Sequence, residues 1–387
     1  MPLTGITVLE VGVFMAGPYA AMQLADLGAT VFKIENPAGG DPVRAAGPFV
    51  AGHSSPFARL NRNKRSVTLD LKSPAGRAAF VRLAADADVV VENLRPGAMR
   101  ALGLDYAALS EVNPGLVYAS ASGWGQDGPL AALPGLDIMA QARSGLMSIT
   151  GEAGGGPAKV GVPVCDLVSG LYLALGVTAA LKERDRSGQG QYLDVSLFEA
   201  GVSLAVWEAG KYFATGEVGG PLGTAHQGQA PYQAFQCADG WLTLGAITPK
   251  AWKGLCEVLG LQPEERYSDA YRRREHADTL IPAIEEVTRT WQVADLVAAL
   301  AGADVPCAPI SDYDEVFNAE QLVERDYFWD APHPEMGRVR QLGSPMRLSR
   351  TPARRAAAGP LLGADTRAAL RAVGYTDEQI NVLGGAE

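Results

Sequence analysis

The sequence predicts an α/β protein: a parallel sheet covered by helices on both faces, followed by a smaller α+β domain. Three observations carry this expectation. Strand and helix patterns alternate over the first 200 residues, a turn-rich break follows at 215–228, and short β patterns with amphipathic helices come after it. At 387 residues the chain is too long for one small core and suits a large domain plus a smaller one.

In order, residues 6–11 read as a buried strand, and Gly17-Pro18 opens a helix ending at Gly28. Residues 30–35 form the next strand and 66–71 a third. Ser73-Pro74 then caps and starts a helix, because a serine hydroxyl accepts from the first turn and proline lacks the N–H that turn would orphan. Further strands at 89–92 and 116–120 are each followed by helical patterns. A long apolar helix begins near Asp166 and runs to about Lys182, residues 191–197 read as a strand, and helical periodicity resumes at 199–213. Beyond the break, β patterns at 232–235 and 241–246 flank the Ala238-Asp-Gly240 turn, and helices follow at 249–259, 276–291 and 292–301. The last segment, 365–383, is helical. These patterns place a large domain at 1–200, a linker at 201–228, a small domain at 229–325, and at 326–387 a linker with a segment returning to the large domain.

Composition excludes several functions. The net charge is −10 and basic residues occur only in short clusters such as Arg272-Arg-Arg274, which argues against a nucleic-acid partner. Glu10, Glu35, Asp86 and Asp88 interrupt the apolar runs, so no membrane span is expected, and the N-terminus shows no export signal. Cys165, Cys237, Cys256 and Cys307 are scattered, as suits reduced thiols in the cytoplasm. Neither they nor His53, His226, His276 and His333 have metal-ligand spacing, so no metal is expected.

Asp166 is the leading chemical candidate. It opens a long helix pattern behind a Gly/Pro-rich loop, where the orphan amides and the positive end of the helix dipole would keep it ionised. A carboxylate held near a cleft can attack an activated acyl group. The alternative is that Asp166 only caps its helix. A dinucleotide site is disfavoured, since 12–17 read Gly-Val-Phe-Met-Ala-Gly and lack the middle glycine of G-x-G-x-x-G.

Motifs along the whole chain resemble the class III CoA-transferases, the CaiB/BaiF type. They begin with Val8-Leu-Glu10, Ala16-Gly-Pro18 and Leu27-Gly-Ala29-x-Val31-x-Lys33-Ile-Glu35. Asn61-Arg-Asn-Lys64, Val91-Glu-Asn93-Leu-Arg-Pro-Gly97, Tyr118-Ala-Ser-Ala-Ser-Gly-Trp-Gly125 and Asp137-Ile-Met-Ala-Gln141 continue the match. Gly188-Gln-Gly-Gln191, Pro306-Cys-Ala-Pro309 and Pro360-Leu-Leu-Gly363 complete it in the same order.

The resemblance implies a Rossmann-like large domain, a smaller domain, and two subunits interlocked as a homodimer. It implies that CoA moves from an acyl-CoA to a carboxylic acid through covalent intermediates on Asp166, which follows Asp137 by 29 positions. No metal, nicotinamide or flavin is then required. The matching CoA contacts are Phe14, Leu69, Lys72, Asn93 and Leu94; Met15 and Ala16 are expected beside the reacting end of the coenzyme, and Arg44, Arg62 and Arg100 are further phosphate candidates. Asn36 stands where some relatives use an arginine against CoA. Amides near Ala16 and Gly17 are candidates for stabilising an oxyanion. The loop 223–229, with His226, is either a flexible lid or a plain linker. Asp137 either orients groups near Asp166 or caps its own helix. The related 2-methylacyl-CoA racemases carry a histidine before that acid; here Leu136 precedes it and cannot carry a proton, which favours transfer over racemisation.

Overall fold

The computed structural model describes residues 1–262 and 264–383. The chain forms two compact units, one made of 1–146, 159–216 and 323–387, the other of 147–158 and 217–322.

The first unit is built on six parallel strands: β1 (Thr7–Val11), β2 (Thr30–Glu35), β3 (Arg65–Thr68), β4 (Val89–Glu92), β5 (Val117–Ser122) and β6 (Tyr192–Ser196). Their order across the sheet is β3-β2-β1-β4-β5-β6, the doubly wound arrangement. Alternate side chains feed two cores. Val8, Val89, Val91, Val117 and Ala119 pack beneath α1 (Ala16–Asp26) and the long helix α2 (Val164–Ser187). Leu9, Val67, Val90 and Tyr118 pack with Phe80 and Leu83 on the other face, where Leu370 and Ile380 of the C-terminal segment join them. Burial on both faces explains why these strands read as continuous apolar runs.

Three local expectations change. Residues 201–215 are not a linker: helices Leu197–Ser203 and Val206–Thr215 continue the first unit past the expected boundary. The expected linker after 326 contains a hairpin, Phe328–His333 paired with Gly337–Leu342, whose alternation Arg338-Val-Arg-Gln-Leu is diluted by Pro332 in the first strand. Finally, α2 is long and apolar enough to cross a membrane, against the expectation of no such stretch. It is a core helix: Leu173, Ala174, Val177 and Leu181 are buried against α1 and the sheet, and it stays helical until Gly188 ends it in the left-handed region at φ 75°.

The second unit holds a three-stranded antiparallel sheet of Tyr232–Gln236, Trp241–Gly245 and Cys307–Pro309. Helices Pro249–Leu259, Ala277–Thr288 and Val293–Gly302 supply its core, with Leu255, Ile284, Leu296 and Leu300 fully buried. The 223–229 loop is tied down inside this unit. Gly223 donates to the Gly151 carbonyl, Gly228 donates to His226 Nδ1, and the His226 ring stacks on Tyr232.

Candidate active site

The sheet order reverses between β1 and β4, and side chains after the carboxyl ends of β1, β4, β5 and β6 enclose a cleft of about 580 Å³. Such switch points are where open α/β sheets bind ligands. Val13 to Ala16 come from behind β1, Asn93 to Pro96 from behind β4, and Gly123-Trp124 from behind β5; Asp166 lines the floor.

Asp166 is brought there by close helix packing. A side chain at Gly170 would place its Cβ 2.9 Å from the Ala16 carbonyl oxygen, so glycine lets α2 press against the first turn of α1. Asp166 is the third residue of α2, not its cap: the cap position is Pro163, which offers no side-chain acceptor. Asp137 does that work from 29 residues away. Its Oδ1 accepts the amides of Cys165 (2.9 Å) and Asp166 (3.3 Å), and its Oδ2 accepts from Gln141 Nε2 (2.6 Å). Gln141, fully buried, accepts in turn from the Val160 amide through Oε1 at 2.9 Å. Asp137 therefore caps the helix of Asp166 rather than its own, whose cap is Leu136.

This arrangement overturns the expectation that the helix end would keep Asp166 ionised. Asp137 takes the nearest first-turn amides, and among the described residues the Asp166 carboxylate accepts no hydrogen bond. Burial then pushes its carboxyl up to about 7, and the negative charge of Asp137 adds to the rise. The neighbouring Cys165 thiol is pushed up to about 11 by burial, with Asp137 and Asp166 contributing, so it is an inert core thiol.

The loop before α1 is held by a buried charge network that sequence reading did not single out as functional. Lys33 Nζ donates to Glu10 (2.7 Å) and to the Gly12 carbonyl (2.9 Å), and pairs with Asp41 (2.8 Å). Lys64 Nζ donates to Glu10 (2.7 Å) and to the Pro18 carbonyl (2.7 Å). Burial favours neutral Glu10, yet the two ammonium groups outweigh it and hold the carboxyl below its usual range. The available signal was charge inside buried strand runs, which is costly unless paired. Asn93 clamps the same loop, accepting from the Val13 amide and donating to the Val13 carbonyl, both at 2.9 Å. Gly12 has no room for a side chain there: a Cβ would lie 2.9 Å from Pro18. Phe14 is left exposed at φ 58°, and Met15 and Ala16 line the cleft at the start of α1, whose first-turn amides lack intrahelical acceptors.

A neighbouring cleft of about 430 Å³ shares Val13 and Leu94 with the first and is lined by Asn36, Leu69 and Lys72. The structure thus gathers Leu69, Lys72 and Leu94 around one cleft, which adjoins the cleft of Asp166. It does not bring Arg100 there: Arg100 lines a different cleft and pairs with Asp105 at 3.4 Å. Arg44 and Arg62 are also unavailable to a phosphate. Arg44 forks onto Glu35 with two bonds of 2.7 Å, and Arg62 is buried on Asp26. Among the described residues, no group of three or more His, Cys, Asp or Glu is placed to hold a metal ion.

Comparison with known proteins agrees with this architecture. CoA-transferase family III matches residues 3–366. The chain is 37% identical over 372 residues to a succinate–glutarate CoA-transferase of Agrobacterium fabrum, covering 94% of this chain and 93% of that protein. It is 35% identical to an acetyl-CoA:oxalate CoA-transferase of Acetobacter aceti over 90% of this chain and 89% of that one. The crystal structure of a CaiB/BaiF family protein from Brucella suis superposes with a TM-score of 0.87 at 35% identity, covering 96% of this chain and 99% of that chain. A carboxylate at the switch point of a doubly wound sheet and this full-length similarity lead to one conclusion: the chain belongs to CoA-transferase family III and is a CoA-transferase.

Proposed function

We propose that this enzyme moves CoA from a short acyl-CoA donor, succinyl-CoA being the first to test, to a carboxylic acid through covalent intermediates on Asp166. The observation that carries the reading is the unbonded Asp166 carboxylate in a cleft that adjoins the one holding Lys72. CoA lies with its nucleotide end against Leu69 and Lys72, the lysine serving as a point charge for phosphate, and its pantetheine arm passes Leu94 to Asp166. Asn93 acts by holding the Val13 loop in place for that arm.

An Asp166 oxygen attacks the thioester carbonyl, and the thiolate leaves to give a mixed anhydride. The thiolate then attacks the Asp166 carbonyl and expels the donor acid, leaving an aspartyl-CoA thioester. The acceptor carboxylate attacks that thioester, and the displaced thiolate returns to the acceptor's acyl carbon, freeing Asp166. Every intermediate keeps an activated acyl group, and desolvation sharpens the nucleophile. The Ala16 and Gly17 amides, in the first turn of α1, would receive the oxyanion.

Incubation with acyl-CoA followed by borohydride or hydroxylamine and mass spectrometry tests the reading: the label belongs at Asp166. Exchange of the α-proton of a 2-methylacyl-CoA in heavy water, without an acceptor acid, would instead favour a racemase. Leu136, exposed on the cleft wall, offers no base for that exchange.

The raised carboxyl also fixes a pH dependence. Only the ionised form attacks, so kcat/KM for the acyl-CoA is expected to fall about tenfold per unit as pH drops below about 7, instead of below about 4 for an unperturbed aspartate. A profile flat between pH 5 and 8 removes Asp166 ionisation from the rate.

We further propose a homodimer in the cytoplasm, with the interlocked form of the family. Val206, Trp207 and Phe213 are 81%, 69% and 82% exposed on one helix, and Leu171, Tyr172 and Leu175 are exposed on α2. Apolar patches of this kind mark interfaces. The four free thiols suit a reducing compartment.

A further inference from the structure

Beyond the Asp166 cleft lies another, of about 600 Å³, lined by Glu92 at the carboxyl end of β4, by Tyr118 and Ser120 of β5 and by Tyr192 at the start of β6. It shares Arg95, Pro96 and Ala131 with the Asp166 cleft, as the Lys72 cleft shares Val13 and Leu94. The Asp166 cleft thus adjoins one neighbour at Leu94 and another at Arg95. A thioester has two arms, the sulfur side and the acyl side. With the sulfur side committed to the Lys72 cleft, the acyl chain is directed toward Arg95.

Arg95 is equipped to meet a negative charge there. It is exposed on the shared wall, and among the described residues its guanidinium makes no hydrogen bond or ion pair, although the chain is strongly acidic. Its backbone is fixed, because its carbonyl accepts from Ala98 at 2.9 Å and the preceding Leu94 amide donates to Glu92 at 2.8 Å. The other cations nearby are engaged: Arg100 pairs with Asp105, and Lys159 Nζ donates to the Val160 carbonyl at 3.1 Å. The same cleft contains a buried donor with no acceptor, Gln126 Nε2. A buried amide left unpaired calls for an explanation, and a ligand oxygen supplies one. The acidic lining does not oppose an anion strongly. Asp105 pairs with Arg100, Asp127 is exposed to screening by water, and burial pushes the Glu92 carboxyl up to about 7.

We propose that the acids exchanged are dicarboxylates, and that Arg95 holds the far carboxylate at the wall between the two clefts. This rests on the reading of Asp166 given above. A planar guanidinium binds a carboxylate through two parallel hydrogen bonds, so the arginine reads a second carboxylate and is indifferent to a methyl end.

The test uses the full chain with matched substrates: succinyl-CoA against butyryl-CoA as donors, and glutarate against valerate as acceptors. The native enzyme is expected to favour the dicarboxylic member of each pair. Arg95→Gln should lose about 10- to 100-fold in kcat/KM for succinyl-CoA and glutarate, almost wholly through KM, with butyryl-CoA and valerate unchanged. Arg95→Lys should recover part of the loss, and Lys159→Ala should leave both ratios intact. The proposal is overturned by a native preference for the monocarboxylic members, by the loss appearing in Lys159→Ala, or by equal weakening of butyryl-CoA in Arg95→Gln, which would assign Arg95 to the CoA phosphates. If transfer requires Asp166 but the ratios ignore Arg95, this inference alone fails. If transfer survives in Asp166→Ala, the parent reading fails.

Discussion

Asp166→Ala is expected to lower kcat by about 10⁴-fold or more, because it removes the atom that forms both covalent intermediates. The measurement is the initial rate of CoA exchange at saturating donor and acceptor, alongside mass spectrometry for loss of the trapped adduct. Folding is separated from chemistry by the isosteric Asp166→Asn. Burial raises the folded-state carboxyl to about 7, whereas an unfolded aspartate titrates near 4, so between these values the native state holds a proton that the unfolded chain has released. Stability from this group therefore declines as pH rises from about 4 to about 7, and the cost is complete above that. Asp166→Asn abolishes the cost. It should raise stability by about 1–2 kcal/mol at pH 8, after allowance for partial solvent access, and by nothing at pH 4. A variant that is more stable at pH 8 yet inactive has lost its nucleophile, not its fold. Retention of exchange by Asp166→Ala defeats the covalent reading outright.

The parts of the fold legible in the sequence are those set by local chemistry. Strands Thr30–Glu35 and Val89–Glu92 and helix Pro249–Leu259 have the bounds their patterns predict, the helix because Thr248 accepts from Ala251 and Pro249 occupies the first turn. Ser73 caps its helix as expected, accepting from Gly76 at 2.9 Å. The parts that escaped are set by partners far along the chain. Arg44 and Arg62 read as candidates for a phosphate, yet Glu35 and Asp26 consume them. Nothing near Arg62 in sequence announces Asp26, because the pair exists only once the sheet has formed. The same holds for Lys33 and Lys64 converging on Glu10 from separate segments. Asp166 itself was legible as a residue but not as a charge state. Its position suggested stabilisation by helix amides, and only the folded chain shows that Asp137 reaches those amides first.

That competition makes Asp137 the second residue with a large expected effect, as a positioning residue. Asp137→Ala leaves the Cys165 and Asp166 amides without their acceptor and leaves Gln141 Nε2 with only its longer bond, 3.4 Å, to the Val162 carbonyl. Loss of a cap costs about 1–2 kcal/mol, and a shift of Asp166 by a fraction of an ångström is expected to cost about 10²-fold in kcat. A purely structural part would stop there. Asp137 also carries a like charge that helps hold the Asp166 carboxyl up, second to burial. Its removal should move the acid limb of kcat/KM to lower pH while the limb stays above that of a free aspartate, since burial persists. Asp137→Asn separates the two contributions: it keeps an oxygen for the α2 amides but sets its Nδ2 against the Gln141 Nε2 donor, so part of the stability and of kcat should return, while the charge is gone and the limb should remain displaced. Thermal melts and pH profiles of both variants decide the matter. A limb fixed at its native position in both would mean that Asp137 supports Asp166 by geometry alone.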